Sequence, residues 1–136
     1  MHDTLLAQVQ EFTYLGVWVD ASLGWERQIR ETCTACMTRI RAIRRLCASY
    51  WGLHPQVVAA LVKAIIFPKL FYGVSAWGGV VRFLEHLRPI DRVLRISALV
   101  TLGLLRTTSE AKALAICGWL PADLEIRFAL TRFILR

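Results

Sequence analysis

The side chains of this 136-residue sequence that could do chemistry are few, and their spacing excludes most kinds of it. Asp91, Asp123 and Glu125 are scattered over helix surfaces, with no pair at the spacing that acid–base work or metal binding requires. Three His and several Ser and Thr make no nucleophile–base arrangement, and no glycine-rich loop could cradle a phosphate. Cys33 and Cys36 form a CxxC, which is half of a zinc or redox centre. No second close pair exists, the nearest His is His54, and both thiols fall one turn apart on the apolar face of a helical pattern. They read as buried structural thiols, reduced like Cys47 and Cys117. Catalysis, bound metal and cofactor are therefore not expected from this chain.

What the sequence holds in excess is arginine. Of 17 basic side chains 14 are Arg, against 10 acidic ones, for a net charge of +7. The planar guanidinium suits phosphate contact and stacking on bases, so the balance leans toward nucleic acid. An Arg-rich coding bias relieved by salt bridges accounts for the same balance, and composition does not separate the two. At about 100° per residue, Arg27, Arg30, Arg41 and Arg45 fall nearly opposite an apolar helical stripe, with Arg44 at its flank. Such a stripe could touch successive phosphates of a duplex, or be a solvated helix face. Only Glu26 and Glu31 stand near it, which favours the phosphate reading. Arg88, Arg92 and Arg95 form a second group, open equally to phosphates and to ion pairs with Asp91 and Glu85.

The elements that must position these groups are set by periodicity and punctuation. Residues 8–20 read as extended, rich in β-formers, with a bend at Gly16, and residues 20–24 read as a turn. A long amphipathic helix over 25–50 carries Trp25, Ile29, Cys33, Cys36, Ile40, Ile43 and Cys47 on one face. Gly52 ends it, and His54 with Pro55 opens the next. That helix is apolar nearly all round over 57–67, as a centrally buried helix would be, until Pro68 kinks or ends it. Gly73 and the Gly78-Gly79 pair then interrupt the chain. Phe83, Leu87, Ile90 and Leu94 set a further amphipathic helix, with Pro89 near its start. Thr107 and Glu110 have the spacing of a capping box, opening a short helix that stops at Gly118. Pro121 starts a last helix along which Leu124, Phe128 and Leu135 lie, while the tryptophans, Trp51 and Trp77 among them, read as core.

The fold class expected is mainly α. A short β element occupies 1–22, and a bundle of four to six helices occupies 23–136. The apolar fraction of 56% and the positive mean hydropathy are high for a free-standing domain. Self-association of the isolated chain is therefore expected. The stretch 57–81 is interrupted by Lys63, Pro68 and Lys69, so no stable membrane insertion is expected. Residues 1–10 lack a basic stretch leading into an apolar run, which points to a nuclear or cytoplasmic protein.

Several short motifs, in order, give a more specific signal. They are FTYLGVWVD at 12–20, LGW at 23–25 with Ile29, Arg45-Leu46 and Gly52. PKLFYG at 68–73, Trp77, RTTS at 106–109, Ala113-Leu114 and GWLP at 118–121 continue the series. Together they resemble the region after the catalytic motifs in reverse transcriptases of LINE-like, non-LTR retrotransposons, from Phe12 to about Ile126. Gln28 stands where that family often has His before Ile, and Leu120-Pro121-Ala122 departs from its usual Pro-Leu.

The resemblance implies that Tyr14, Leu15 and Gly16 correspond to the primer grip, which holds the growing 3′ end. It implies that the helices correspond to the thumb and connection, gripping an RNA/DNA template–primer duplex. A palm carrying the metal-binding aspartates would lie upstream and be absent from this stretch, so the chain would be a non-catalytic fragment. Against this stand two other readings, a helical protein-interaction module reused by a host and a membrane-associated helical protein.

Overall fold

A computed structural model describes residues 7–47 and 52–136; the expected helix end over 48–50 and the core assignment of Trp51 lie outside the described residues. The chain begins with an antiparallel hairpin, β1 (Glu11–Tyr14) and β2 (Val17–Asp20), in the register Glu11 to Asp20 and Tyr14 to Val17. The extended stretch is thus two strands, reversed by Leu15 and Gly16. Both of these have positive φ, +48° and +79°, the sign pattern of a type I′ turn, whose twist matches paired strands. After β2, Asp20 accepts hydrogen bonds from the Ser22 hydroxyl and the Gly24 N–H, which turns the chain into the first helix. These bonds, that of Ser22 foremost, hold the Asp20 carboxyl below its ordinary pKa.

Six α-helices come next among the described residues. They are α1 (Glu26–Cys47), α2 (Pro55–Leu70), α3 (Val74–Trp77), α4 (Leu84–Leu102), α5 (Glu110–Cys117) and α6 (Ala122–Ile134), with a 3₁₀ segment (Gly78–Arg82) before α4. The core lies where α1, α2 and α4 pack against one another. On α1, Ile29, Cys33, Cys36, Ile40 and Ile43 recur at steps of three and four, and all are buried. On α4 the buried stripe is Leu87, Ile90, Leu94 and Ala98. Ser97 and Thr101 share that face and donate their hydroxyl protons to the carbonyls of Val93 and Ser97, so neither buried donor is left open. Trp77 is core, its indole N–H donating to the Tyr72 carbonyl.

Several expectations fail, each for a physical reason. The helix over 57–67 is not buried all round: Val58, Val62, Ile66 and Leu70 are buried and Phe67 half-buried, while Val57 and Ile65 are exposed. Two neighbouring helices cover one stripe of α2, and composition cannot reveal which side a bundle leaves open. Pro68 neither ends nor delimits α2, because the helix continues to Leu70. Pro89 likewise lies inside α4 and not at its start, and Phe83 is an exposed residue flanking that helix. No capping box forms at 107–110. α5 begins at Glu110 behind Ser109, which makes no side-chain cap, and the Thr108 carbonyl is engaged by Arg95. The last helix does carry Leu124 and Phe128, both exposed, with Leu135 just past its end, and its buried residues are Ala122 and Ile126.

Two details explain where this chain departs from the motif pattern. Gln28 is buried; its Oε1 accepts the Trp18 N–H at 2.8 Å and its Nε2 donates to Thr32, fastening β2 to α1. Ala122 is fully enclosed, and its N–H donates to Asp91 at 2.9 Å, so a larger residue there would collide. Among the described residues no helix is long and apolar enough to cross a membrane.

Candidate nucleic-acid interface

Packing α1 against α4 turns two arginine groups, distant in sequence, toward the same opening. A cleft of about 740 Å³ between the helices is lined by Arg30 and Arg41 from α1 and by Arg88 and Arg92 from α4. A second, of about 690 Å³, is lined by Arg41, Arg44, Arg92, Arg95 and Arg106. Met37, Arg41 and Arg92 belong to both, so the two are one continuous groove. Its floor is apolar, with Met37, Ile96 and Val100 half-buried. Glu26, Glu85 and His86 line the end near the start of the helices; among the described residues no acidic side chain lines the other end. Guanidinium groups on both rims of a low-dielectric groove reinforce one another's field and attract polyanions.

The acids that could have neutralised the α4 group are engaged elsewhere or unengaged. Asp91 points away from the groove and caps α6 through the Ala122 N–H. Burial pushes its carboxyl above the ordinary pKa, the Ala122 N–H opposes this, and the nearby Asp123 charge adds to it. Glu85 forms no ion pair among the described residues, where the pair between Arg27 and Glu11 is the only one. Arg30, Arg41, Arg44, Arg88 and Arg92 therefore carry charge without an acidic partner among the described residues.

The remaining site residues are placed differently. Arg27 lies over the Trp18 ring, 3.8 Å from its centroid, and pairs with Glu11, so its charge serves to hold the hairpin on α1. Arg45 is exposed and lines neither part of the groove. Arg95 lines it but is half-buried, its guanidinium donating to the carbonyls of Arg106 and Thr108. It shapes the loop before α5 while adding charge. Tyr14, Leu15 and Gly16 are exposed at the hairpin turn, and the turn lines neither part of the groove.

Three groove residues escape a reading of the sequence alone. Arg106 stands out there only as part of RTTS. Thr34 and Thr38 sit between Arg30 and Arg41 at steps of four and three, a helical spacing that could have placed them on the same rim. The CxxC thiols are buried and free, pushed up to about 12 for Cys33 and about 11 for Cys36, chiefly by burial. Among the described residues no three His, Cys, Asp or Glu side chains stand close enough to hold a metal ion.

Fold and groove define a mainly helical domain with a strongly basic surface set between two helices. The chain is similar to parts of Pol polyproteins from non-LTR retrotransposons. It is 26% identical over 120 residues to the retrovirus-related Pol polyprotein from type-1 retrotransposable element R1 of Nasonia vitripennis, covering 88% of this chain and 36% of that protein. A counterpart in Bradysia coprophila is 24% identical over 125 residues, 92% of this chain and 12% of that protein. The RNA-directed DNA polymerase from mobile element jockey of Drosophila funebris is 33% identical over 99 residues, 73% of this chain and 10% of that protein. The chain thus spans about a third, or less, of the length of these relatives. No family model matches the chain, and no solved structure matches it significantly.

Proposed function

We propose that this chain is the part of a non-LTR reverse transcriptase that grips the template–primer duplex, and that it carries no polymerase chemistry itself. The observation behind this reading is the convergence of Arg30, Arg41 and Arg44 with Arg88 and Arg92 on one groove, none with an acidic partner among the described residues. Phosphate contacts of this kind hold a duplex without reading its sequence, as a polymerase must. The palm with its metal-binding aspartates belongs, on this reading, to another part of the polyprotein, and the protein works in the nucleus or cytoplasm. The hairpin turn at Tyr14, Leu15 and Gly16 faces the primer end.

The test is binding of the 136-residue chain to an RNA template annealed to a DNA primer, titrated against salt. Four or five phosphate contacts should give a log–log slope of about −4, nearly independent of sequence. With nucleotides and magnesium or manganese added, no primer extension is expected. Salt-insensitive or absent binding refutes the grip, and metal-dependent extension abolished by replacing an acidic residue of this chain refutes the non-catalytic assignment.

A second reading draws on the exposed apolar side chains toward the end of α6, Phe128, Phe133 and Ile134, with Leu135 just past it. A helical protein-interaction module would use such a face, and would bind protein with no dependence on the groove arginines.

A further inference from the structure

The hairpin turn is held from two sides, and the second hold comes from a distant part of the chain. Near its base, β2 is fastened to α1 by the Gln28 bond to the Trp18 N–H and by Arg27 on the Trp18 ring. At its tip, the Tyr72 hydroxyl donates to the Leu15 carbonyl at 2.8 Å, across 57 residues of sequence. Tyr72 sits at the corner between α2 and α3, itself fixed by the Trp77 indole N–H on its carbonyl. Next to it, Gly73 has φ of +68°, and a Cβ there would stand 2.8 Å from Cγ2 of Val17. The corner and β2 therefore approach so closely that only glycine fits at 73.

The tip is where such a hold has most to fix. Leu15 occupies the left-handed region, which disfavours a side chain with a Cβ, and that side chain is 75% exposed. The strand pairing favours that conformation through its type I′ turn, and the exposed Leu15 side chain adds no packing of its own to hold it. The Tyr72 bond falls on the carbonyl between the two positive-φ residues and adds a hold from outside the turn.

We infer that Tyr72 is a positioning residue for the Tyr14–Gly16 turn, setting the pose in which the tip meets nucleic acid. This rests on the proposed reading of the turn as a duplex contact. It assigns YLG at 14–16 and FYG at 71–73 to one device, two motifs that must be read together because one orients the other.

The test replaces Tyr72→Phe in the full chain, which removes the hydroxyl and keeps the ring. Two readouts are taken. One is 15N relaxation of the Gly16 amide without nucleic acid. The other is photo-crosslinking from Tyr14→p-benzoylphenylalanine to an RNA template annealed to a DNA primer. The expected result is a more mobile Gly16 amide and a loss of about three- to tenfold in crosslink per bound complex, the equivalent of one net hydrogen bond. Total affinity and its salt slope should stay the same, since the groove sets them. Gly73→Ala, which keeps the hydroxyl but drives a methyl into Val17, should lower the crosslink as well. If the crosslink is unchanged in Tyr72→Phe, the positioning role is wrong, whatever Gly16 does. If the parent binds the duplex but never crosslinks from position 14, the turn is not a duplex contact. In that case an unchanged Gly16 amide overturns the Tyr72 assignment too, and a loosened one sustains it as the hold on the turn.

Discussion

The groove between α1 and α4 and the outer face of α6 are built from the same materials, arginine beside exposed apolar carbon, yet they differ in arrangement. In the groove, the apolar side chains Met37, Ile96 and Val100 form a floor, and cations from two helices stand over it. Along α6 and just past its end the arrangement differs: Phe128 and Leu135 are exposed, Arg127 stands apart, and Arg132 and Arg136 border a smaller cleft to which, among the described residues, no second element adds a cation. Arg132 leans over the Phe128 ring, 5.8 Å from its centroid. Cations on one helix spread apart and are screened separately, whereas those brought together by packing share a low-dielectric wall and add their fields. What sets the groove apart is convergence, not content.

The largest test of the difference lies beneath the two surfaces. Leu94 is 0% exposed in the α4 stripe under the groove, so Leu94→Ala should lose about 2–5 kcal/mol of stability by urea unfolding. Phe128, at 55% exposure, should cost within about 0.5 kcal/mol when changed to Ala, while reducing self-association measured by sedimentation. Equal losses at the two positions would mean that α6 is not an outer face at all.

Next in size is the effect on binding. Changing Arg41 and Arg92 together to Gln, a good helix former, removes one cation from each rim and should flatten the salt slope by about two units. The pair Arg127 and Arg132, changed the same way, should do less. Arg27→Gln should leave the slope nearly untouched, because that guanidinium is already paired with Glu11 and stacked on Trp18. Equal weakening by the groove pair and the α6 pair would reduce the attraction to the diffuse field of a +7 chain.

The contrast also shows how much was legible in the sequence. The stripes of α1 and α4 are readable because periodicity survives packing: a residue every three or four positions faces inward whichever helix covers it. The motif resemblance is readable for the same reason, as ordered local signals. Which helices become neighbours is a long-range property, so the two arginine groups stand in the sequence as separate features. Asp91 shows the consequence. In sequence it sits among Arg88, Arg92 and Arg95 and invites ion pairing; in the fold it faces the other way and caps α6. The bond from Tyr72 to Leu15 has no local signature either, since its partners are 57 residues apart. For α2 and α6, apolar composition suggests more burial than the fold delivers, because a small bundle cannot cover every apolar face it carries.

The most indirect test is a pH dependence from the buried thiols of α1, compared with Cys117 at the end of α5. Burial pushes the Cys33 thiol up to about 12, with the Cys36 charge adding to it, and the Cys36 thiol up to about 11 against the charges of Arg39 and Lys69; both start from an ordinary 9.0. Cys117 is also raised by burial, with Lys63 opposing, but it is only half-buried. The unfolded chain releases the Cys33 and Cys36 protons near pH 9, while the folded chain retains them to higher pH. Over that window the native state binds more protons, so stability must fall as pH rises, and below it this contribution is constant. Urea midpoints should therefore decline between about pH 9 and 11, and replacing Cys33 and Cys36 together with Ala should remove most of that decline. At a fixed mildly alkaline pH, iodoacetamide should label Cys47 and Cys117 of the folded chain before Cys33 and Cys36, since the thiolate is the reacting form. Early labelling of Cys33 would show that the groove floor is open to water, and a wet floor would cost the arginines above it the low-dielectric wall that sets them apart from those on α6.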